Sequence, residues 1–253
     1  PPFLRDWNCH SVSSYAASHK VVNPCISINE VIQLKYVKTF APVYLLMIVA
    51  VLVLVRWGSR TVTVMSESAP LTQRHCMIID AGHGGVDGGA TSCTGVLESQ
   101  INLEIALRLD DLCHLLGMDT RMIRTTDISV YTEGETISQK KVSDLKHRVK
   151  IINETPNATV ISIHQNYFSD GRYSGAQVFY PKDDASRQLA EAIQKGFSVT
   201  GSKRNAKPSQ GVYLMEHINC RGVLVECGFL SNPQEEARLR SAAYQKLICC
   251  VIA

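Results

Sequence analysis

Residues 76–80, Cys-Met-Ile-Ile-Asp, form an apolar run that ends in an acidic residue, and residues 81–85, Ala-Gly-His-Gly-Gly, follow it at once. Further β-type runs recur along the chain, and helical stretches separate most of them. These runs lie at residues 118–123, 158–163, 176–180 and 222–226. The alternation predicts an α/β domain built around a largely parallel sheet.

Two helix boundaries are clearly marked. One helix is predicted to start after Ser99 and to end at Gly117, since glycine adopts the left-handed conformation that closes many helices. Its apolar residues fall on one stripe, at Ile101, Ile105, Leu109, Leu112 and Leu116. Another helix is predicted at Asn232-Pro233-Gln234-Glu235, where Asn232 caps the first turn and Glu235 completes a capping box.

The N-terminal part of the chain contains an uncharged apolar run at residues 40–55, with lysines before it and arginines after it. No small-x-small cleavage site follows directly, so an uncleaved signal anchor is favoured over a cleaved signal peptide. We therefore expect an anchor at residues 39–57, a polar linker at 58–73 and a catalytic domain at 74–253. Residues 1–38 are either a cytoplasmic tail or a non-native segment.

Composition excludes some classes of function. The 26 Lys and Arg barely exceed the 23 Asp and Glu, so the chain lacks the basic character of a nucleic-acid-binding protein, and no nucleic acid is expected as a partner. None of the nine cysteines forms a Cys-x-x-Cys pair, which excludes a cysteine-rich zinc module. We interpret the cysteines as small buried apolar residues in preference to a disulfide framework.

Residues suited to metal binding or acid–base chemistry stand at the ends of the apolar runs or in the loops after them. They are His83, Glu98, His164 and Glu226. In open α/β sheets the ligand crevice lies at the carboxyl ends of the strands, so His83, His164 and Glu226 are expected to converge there. Asp80 lies close to His83 in sequence and is expected to orient that imidazole from the second shell.

Two imidazoles and one carboxylate form a common ligand set for catalytic Zn²⁺, and they leave one position open for water. A separate carboxylate is then needed to take the proton from that water and to deliver it to the leaving amine. Glu98 suits the ligand role and Glu226 suits the proton-transfer role. The glycines around His83 allow the backbone to approach a metal and a substrate closely.

Several segments in the correct order resemble the zinc-dependent N-acetylmuramoyl-L-alanine amidases of the amidase-3 family. They read IIDAGHGGVDGGA at 78–90, LESQINLEIA at 97–106, ISIHQN at 161–166 and LVECGFLSNPQEEARL at 224–239. The resemblance implies a mixed, largely parallel sheet of about six strands flanked by helices. It also implies that His83, Glu98 and His164 bind one Zn²⁺ per chain and that Glu226 is the catalytic residue. The implied reaction cleaves the amide bond between N-acetylmuramic acid and L-alanine in peptidoglycan.

Other segments are similar to the sporulation branch of the family, which removes stem peptides from cortex peptidoglycan before muramic-δ-lactam forms. They read SDLKHRVKIIN at 143–153 and KPSQGVYLMEH at 207–217. A membrane-anchored or exported enzyme with an extracytoplasmic catalytic domain, on the cell-wall or spore-cortex side, suits that substrate. The stretch between His164 and Ala176 is too short for the inhibitory helix of division-type relatives. We expect an open site, with control by expression, location or an accessory protein.

Three other interpretations stay open at the level of the sequence. A catalytically idle wall-binding homologue would keep the fold but lose turnover, although Glu226 is intact. A metallopeptidase of another family is less well supported, because no His-Glu-x-x-His occurs in the chain. A two-metal hydrolase would use additional carboxylates, such as Asp80 or Asp87, to bridge the ions.

Overall fold

The computed structural model describes residues 40–54 and 75–253 of the chain. It divides into two units, Pro1–Ala69 and Pro70–Ala253. In the first unit residues 40–54 form a helix, α1, whose side chains are exposed. No helix among the described residues is both long enough and apolar enough for a membrane span. The predicted tail and linker, and the two ends of the predicted anchor, lie outside the described residues.

The second unit is built on a six-stranded mixed sheet. The strands are β1 (Cys76–Ala81), β2 (Asp119–Met122), β3 (Ala158–Asn166), β4 (Gln177–Tyr180), β5 (Lys207–Pro208) and β6 (Arg221–Phe229). Their order in the sheet is β2-β1-β3-β6-β4-β5. The first four in this order run parallel, whereas β4 pairs with β6 in the antiparallel direction and β5 follows β4 in parallel. The predicted mixed, largely parallel sheet of about six strands is confirmed.

Six α-helices connect or flank these strands. They are α2 (Glu98–Leu115), α3 (Ile137–Asn153), α4 (Asp184–Gly196), α5 (Tyr213–His217), α6 (Pro233–Leu239) and α7 (Ala242–Ile252). The predicted end of α2 is confirmed, because Gly117 has a φ of 75°. Asn232 caps α6 as predicted, since its side chain accepts from the amides of Gln234 and Glu235.

The predicted capping box at α6 is wrong. The Glu235 carboxylate accepts from the amides of Gly175, in the loop before β4, and Phe229, the last residue of β6, instead of returning to the Asn232 amide. A complete capping box closes the start of α3, where the Thr136 side chain accepts from the Gln139 amide and the Gln139 side chain accepts from the Thr136 amide. The side chain at the third helical position therefore completes the capping box in α3 but not in α6.

Each face of the sheet carries its own apolar core. Ile79, Ile163 and Val225 point to the face covered by α2, α4 and α7. Residues at the alternate positions of these strands, among them Ile78, Val160 and Leu224, point to the face covered by α3 and α5. Successive side chains of a strand alternate between faces, so the strands of the centre are apolar on both sides.

The cysteines in the described part of the second unit differ in burial. These cysteines are all free, and Cys113, Cys227 and Cys249 are buried as predicted. Cys93 and Cys250 are exposed, so the prediction of buried cysteines does not hold for them.

Candidate active site

The predicted site residues all reach the carboxyl edge of the sheet. His83 lies in the loop that follows β1, and Glu98 is the first residue of α2. His164 and Glu226 are partners in the parallel register of β3 and β6. Register partners present their side chains on the same face of a sheet, so the imidazole and the carboxyl are neighbours. The four residues come from separate parts of the chain, and the fold brings them to one place.

His83, Glu98 and His164 form a compact cluster of metal-competent atoms. One donor atom from each residue lies within 4.8 Å of the other two. His83 Nε2 is 3.3 Å from Glu98 Oε2, and His164 Nδ1 is 3.0 Å from Glu98 Oε1. The two imidazole rings meet edge to face, with their centroids 5.0 Å apart. Two nitrogens and a carboxylate thus point to a common centre.

Two glycines make this close approach possible. A Cβ on Gly82 would lie 2.2 Å from His164 Nε2, which places that nitrogen against the backbone and turns Nδ1 toward Glu98. A Cβ on Gly89 would lie 2.5 Å from Glu98 Oε2, and its φ of +70° is in any case unfavourable for an L-residue. His83 itself has a φ of 61°, so the turn that presents it is strained.

Asp87 holds His83 from the side away from the cluster. His83 Nδ1 lies 2.9 Å from Asp87 Oδ2, while Asp87 Oδ1 accepts from the Gly89 amide and pairs with Lys141 Nζ at 2.7 Å. Burial would lower the pKa of His83, but hydrogen bonds to Asp87 and Glu98 raise it to about 9. The expectation that Asp80 would orient this imidazole is wrong.

Asp80 instead anchors helix α3 to the end of β1. Its carboxylate pairs with Arg148 and accepts from the Ser162 hydroxyl at 2.7 Å. Arg148 also donates to the carbonyls of Ala81 and His83. The Asp80 side chain faces α3, where Arg148 supplies a buried positive charge. Through Arg148, this ion pair holds the backbone at Ala81 and His83 in place.

The Glu98 carboxylate is positioned by its own helix and by neighbouring backbone. Glu98 Oε1 accepts from Asn102 Nδ2, one helical turn later, and from the Gln165 amide, while Oε2 accepts from the Ala90 amide. Burial would raise the pKa of Glu98, but His164 and His83 hold it well below its usual range. Glu98 is therefore an anion in a fixed orientation, as a metal ligand must be.

Glu226 differs sharply from Glu98. Its Oε2 is sealed from solvent and has no hydrogen-bond partner among the described residues. Burial raises the pKa of Glu226 to about 7, and the charge of Glu98 adds to this rise while His164 and His83 oppose it. A carboxyl with such a pKa gains and loses a proton readily near neutral pH.

The rim of the site is formed by a short loop after β3. Residues 167–176 contain no helix, as the sequence predicted from the spacing between His164 and Ala176. Tyr167, Phe168 and Tyr173 in this loop are about half exposed. The segment that covers the site in division-type relatives therefore has no counterpart at this position in the described chain.

Comparison with known proteins decides the family. The profile of the N-acetylmuramoyl-L-alanine amidase family, Amidase_3, matches residues 77–253. The chain belongs to this family. The germination-specific N-acetylmuramoyl-L-alanine amidase of Bacillus subtilis is 37% identical over 189 residues, which cover 73% of this chain and 79% of that protein. The amidase LytC of Bacillus subtilis is 27% identical over 67% of this chain and 32% of its own length.

Solved structures of other amidases agree with this assignment. The CwlD amidase of Clostridioides difficile, solved in complex with the GerS lipoprotein, matches with a TM-score of 0.68 and 38% identity over 71% of this chain and 94% of that chain. The catalytic domain of CwlV from Bacillus (Paenibacillus) polymyxa matches with a TM-score of 0.61 and 27% identity over 70% and 93%. The predicted enzyme class, an N-acetylmuramoyl-L-alanine amidase, is confirmed.

Sequence reasoning missed three residues that support the site. Asn102 lies four positions after Glu98, the spacing at which helical side chains meet, so a search along α2 could have found it. Asp87 lies four positions after His83 in a loop, where spacing alone carries no such meaning. Lys141 comes from α3, and nothing in the sequence links it to Asp87.

Proposed function

We propose that this amidase holds one zinc ion per chain on His83, Glu98 and His164 and uses Glu226 to move protons during cleavage of the N-acetylmuramoyl-L-alanine bond. The observation that carries the proposal is the convergence of two imidazole nitrogens and one carboxylate oxygen within 4.8 Å. This donor set suits catalytic Zn²⁺. When bound in such a site, zinc acidifies a water ligand and polarises a carbonyl group.

Glu226 is suited to the proton-transfer role by its environment. Its Oε2 makes no hydrogen bond within the described chain, so no other described protein group occupies the lone pairs of this oxygen. As a carboxylate, Glu226 can accept a proton from water, and as a carboxylic acid it can return that proton to the nitrogen of L-alanine. Glu98 cannot exchange roles with Glu226, because the two histidines keep it ionised.

Several contacts favour one metal ion over two. The Asp80 carboxylate forms an ion pair with Arg148 and accepts a hydrogen bond from Ser162. The Asp87 carboxylate interacts with His83, Lys141 and the Gly89 amide. Neither carboxylate belongs to the group of close donor atoms that His83, Glu98 and His164 form in the described residues. The bridging ligands that a two-metal hydrolase needs are thus engaged elsewhere.

We further propose that the enzyme acts on spore-cortex peptidoglycan, outside the membrane, in preparation for germination. The relative from Bacillus subtilis is named as germination-specific, and its sequence aligns with this one over most of both chains. The CwlD amidase was solved with a lipoprotein, which supports an accessory protein as a partner here.

The uncharged run at residues 40–55 supports a signal anchor at residues 39–57, and membrane fractionation of cells that express the full chain tests that anchor.

The bond that is cleaved can be determined directly. Purified full-length protein is incubated with zinc and spore-cortex peptidoglycan, and the soluble products are sequenced and analysed by mass spectrometry. We expect stem peptides with a new free N-terminal L-alanine and glycan strands that keep intact sugar linkages. Release of muropeptides cut between the sugars, or no release at all, would contradict the proposed reaction.

Substitutions separate the proposed roles. Glu226→Gln removes the proton acceptor but leaves the ligands, so we expect about one zinc per chain and a loss of turnover of at least a hundredfold. His83→Ala and His164→Ala remove a ligand, so both metal and turnover should be lost. Metal analysis of the purified variants checks these outcomes, and near-native turnover of Glu226→Gln would refute the role given to that residue.

A further inference from the structure

A cationic cavity of about 680 Å³ opens at the same edge of the sheet as the proposed active site. Its walls are the loop after β3, the loop before β5 and the start of α6. Four positively charged side chains line it, namely Arg172, Lys203, Arg204 and Arg238. The acidic residue in the lining, Glu235, is buried, and its two oxygens accept from the Gly175 and Phe229 amides.

The positive charge of the cavity is not balanced within the described chain. Lys203, Arg204 and Arg238 form no salt bridge with any residue of 40–54 or 75–253, whereas Arg172 pairs with Asp170 in its own loop. Arg238 donates to the Thr200 carbonyl at 3.3 Å and lies over the Tyr244 ring. The cavity therefore keeps an excess of positive charge, and such an excess attracts an anionic ligand.

Arg204 connects the cavity to the proposed catalytic residue. Its Nε donates to the Ser174 carbonyl at 2.8 Å, its Nη1 donates to Gln177 Oε1 at 3.0 Å, and its guanidinium lies 4.6 Å from the centre of the Phe229 ring. Gln177 is the register partner of Glu226 across β4 and β6. These contacts fix the guanidinium one side chain away from Glu226 and leave Nη2 without a partner in the described residues.

We propose, on the basis of the proposed function, that the cationic cavity binds a carboxylate of the stem peptide and that Arg204 determines this specificity. The sugar side of the scissile amide is neutral, because the lactyl carboxyl of muramic acid is itself part of that amide. The peptide side carries carboxylates, on the γ-linked glutamate that follows L-alanine and on the third residue. A guanidinium held by two hydrogen bonds and an aromatic ring is well suited to such a group.

Matched synthetic muropeptides test the proposal with the full-length zinc-loaded enzyme. One substrate has a free carboxylate at the second stem residue only, another has it at the third residue only, and a reference substrate has both as amides. We expect kcat/KM of the unmodified enzyme to be about tenfold higher for at least one free-carboxylate substrate than for the reference, as for a partly exposed charge-assisted hydrogen bond. The preferred substrate identifies which carboxylate is bound.

Variants assign the preference to Arg204. Arg204→Gln should lose about tenfold in kcat/KM on the preferred substrate and little on the reference, and Arg204→Lys should recover part of the preference. Arg187→Gln on α4 is the matched control, because Arg187 pairs with Asp184 and Glu191 and does not line the cavity. It should keep the full preference. Thermal unfolding shows whether each variant is folded.

Two outcomes overturn this inference while the proposed function stands. In one, the unmodified enzyme cleaves the reference as well as the free-carboxylate substrates. In the other, Arg204→Gln is folded but slows all substrates equally, which indicates a structural role. If the unmodified enzyme cleaves none of the substrates, the proposed function itself fails, and the inference falls with it.

Discussion

The imidazole of His83 lies between two carboxylates, and only one of them belongs to the proposed metal site. Glu98 faces Nε2 at 3.3 Å, and Asp87 faces Nδ1 at 2.9 Å. A carboxylate behind a ligating histidine fixes the tautomer and raises the basicity of the ligand. Asp87 would therefore influence metal binding through His83, without being one of the proposed ligands.

Asp87→Asn tests this influence at the scale of one residue. The amide keeps the shape of the side chain but loses its charge, so we expect zinc affinity to fall by about tenfold to a hundredfold. The matched control is Asp110→Asn, because Asp110 also lies near a histidine four residues later, His114, but stands about three helical turns after Glu98 on α2. The control should leave zinc affinity unchanged in a competitive chelator titration. Equal affinities for all three proteins would contradict the role of Asp87.

Gly82→Ala should disturb the metal site through a steric effect alone. The new Cβ would lie 2.2 Å from His164 Nε2, so the imidazole must rotate away from Glu98. We expect zinc content well below one per chain in a folded protein. Gly117→Ala serves as the control, because its Cβ meets nothing within 4 Å and only its φ of +75° is unfavourable. That variant should lose about 1 kcal/mol of stability and keep its zinc. A Gly82→Ala protein that binds zinc normally would refute the steric argument.

At the scale of elements, helix α3 is held to the sheet by a buried ion pair. Arg148 is 2% exposed and reaches Asp80 on β1, the Asp144 carboxylate and the carbonyl of His83. Burial would lower the pKa of Arg148, but Asp80 and Asp144 raise it. Because the same guanidinium holds the His83 loop, the docking of α3 and the geometry of the site depend on each other.

The stability of this docking should depend on pH with a definite sign. Burial would raise the pKa of Asp80, but Arg148 and Ser162 lower it below the unfolded value of about 3.9. The stabilisation is then complete above about pH 4 and is lost as the pH falls through the lower pKa of the folded state. In denaturant titrations of chelator-treated protein, Asp80→Asn should cost about 3 kcal/mol at pH 7 and weaken the loss of stability in acid.

A substitution on another helix serves as the control for the pH dependence of stability. Asp184 on α4 is exposed and pairs with Arg187, so Asp184→Asn should leave the pH dependence as it is in the unmodified protein. If Asp80→Asn and the unmodified protein lose stability in parallel below pH 4, the Asp80–Arg148 pair does not carry the effect.

How much of each element could be predicted depended on its local signals. The apolar runs predicted five of the six strands, and the stripe from Ile101 to Leu109 predicted α2. Strand β5 has two residues and α5 has five, which are too short to show a period. The Glu235 carboxylate was misassigned because one of its partners, Gly175, lies 60 residues earlier in a loop that the fold brings near.

At the scale of the whole molecule, the convergence of the site followed from topology. Parallel strands place their carboxyl ends at one edge, so His83, His164 and Glu226 could be predicted to meet before any distance was known. The direction of Asp80 could not be predicted, because it depends on Arg148 from α3, 68 residues later. The strands themselves are indicated by local pattern, whereas the partner of a buried charge is decided by packing between distant elements.

The fold should survive removal of the metal. Glu98 accepts from His164 Nδ1 at 3.0 Å and faces His83 Nε2 at 3.3 Å, so the three side chains hold one another without an ion. The two apolar cores and the Asp80–Arg148 ion pair also contain none of the proposed ligand atoms. We therefore expect the metal to add stability to a domain that folds without it, in contrast to small zinc modules that unfold without their metal.

Chelation followed by zinc return tests this view of the whole domain. We expect treatment with a chelator to abolish turnover, to leave the far-ultraviolet circular dichroism spectrum unchanged and to lower Tm by about 5–10 °C, as for a ligand present at roughly a hundred times its Kd. Added zinc should restore both turnover and Tm. His83→Ala is the control, since zinc should not shift its Tm. Loss of the helical signal on chelation would contradict the prediction, because the domain would then need the metal in order to fold.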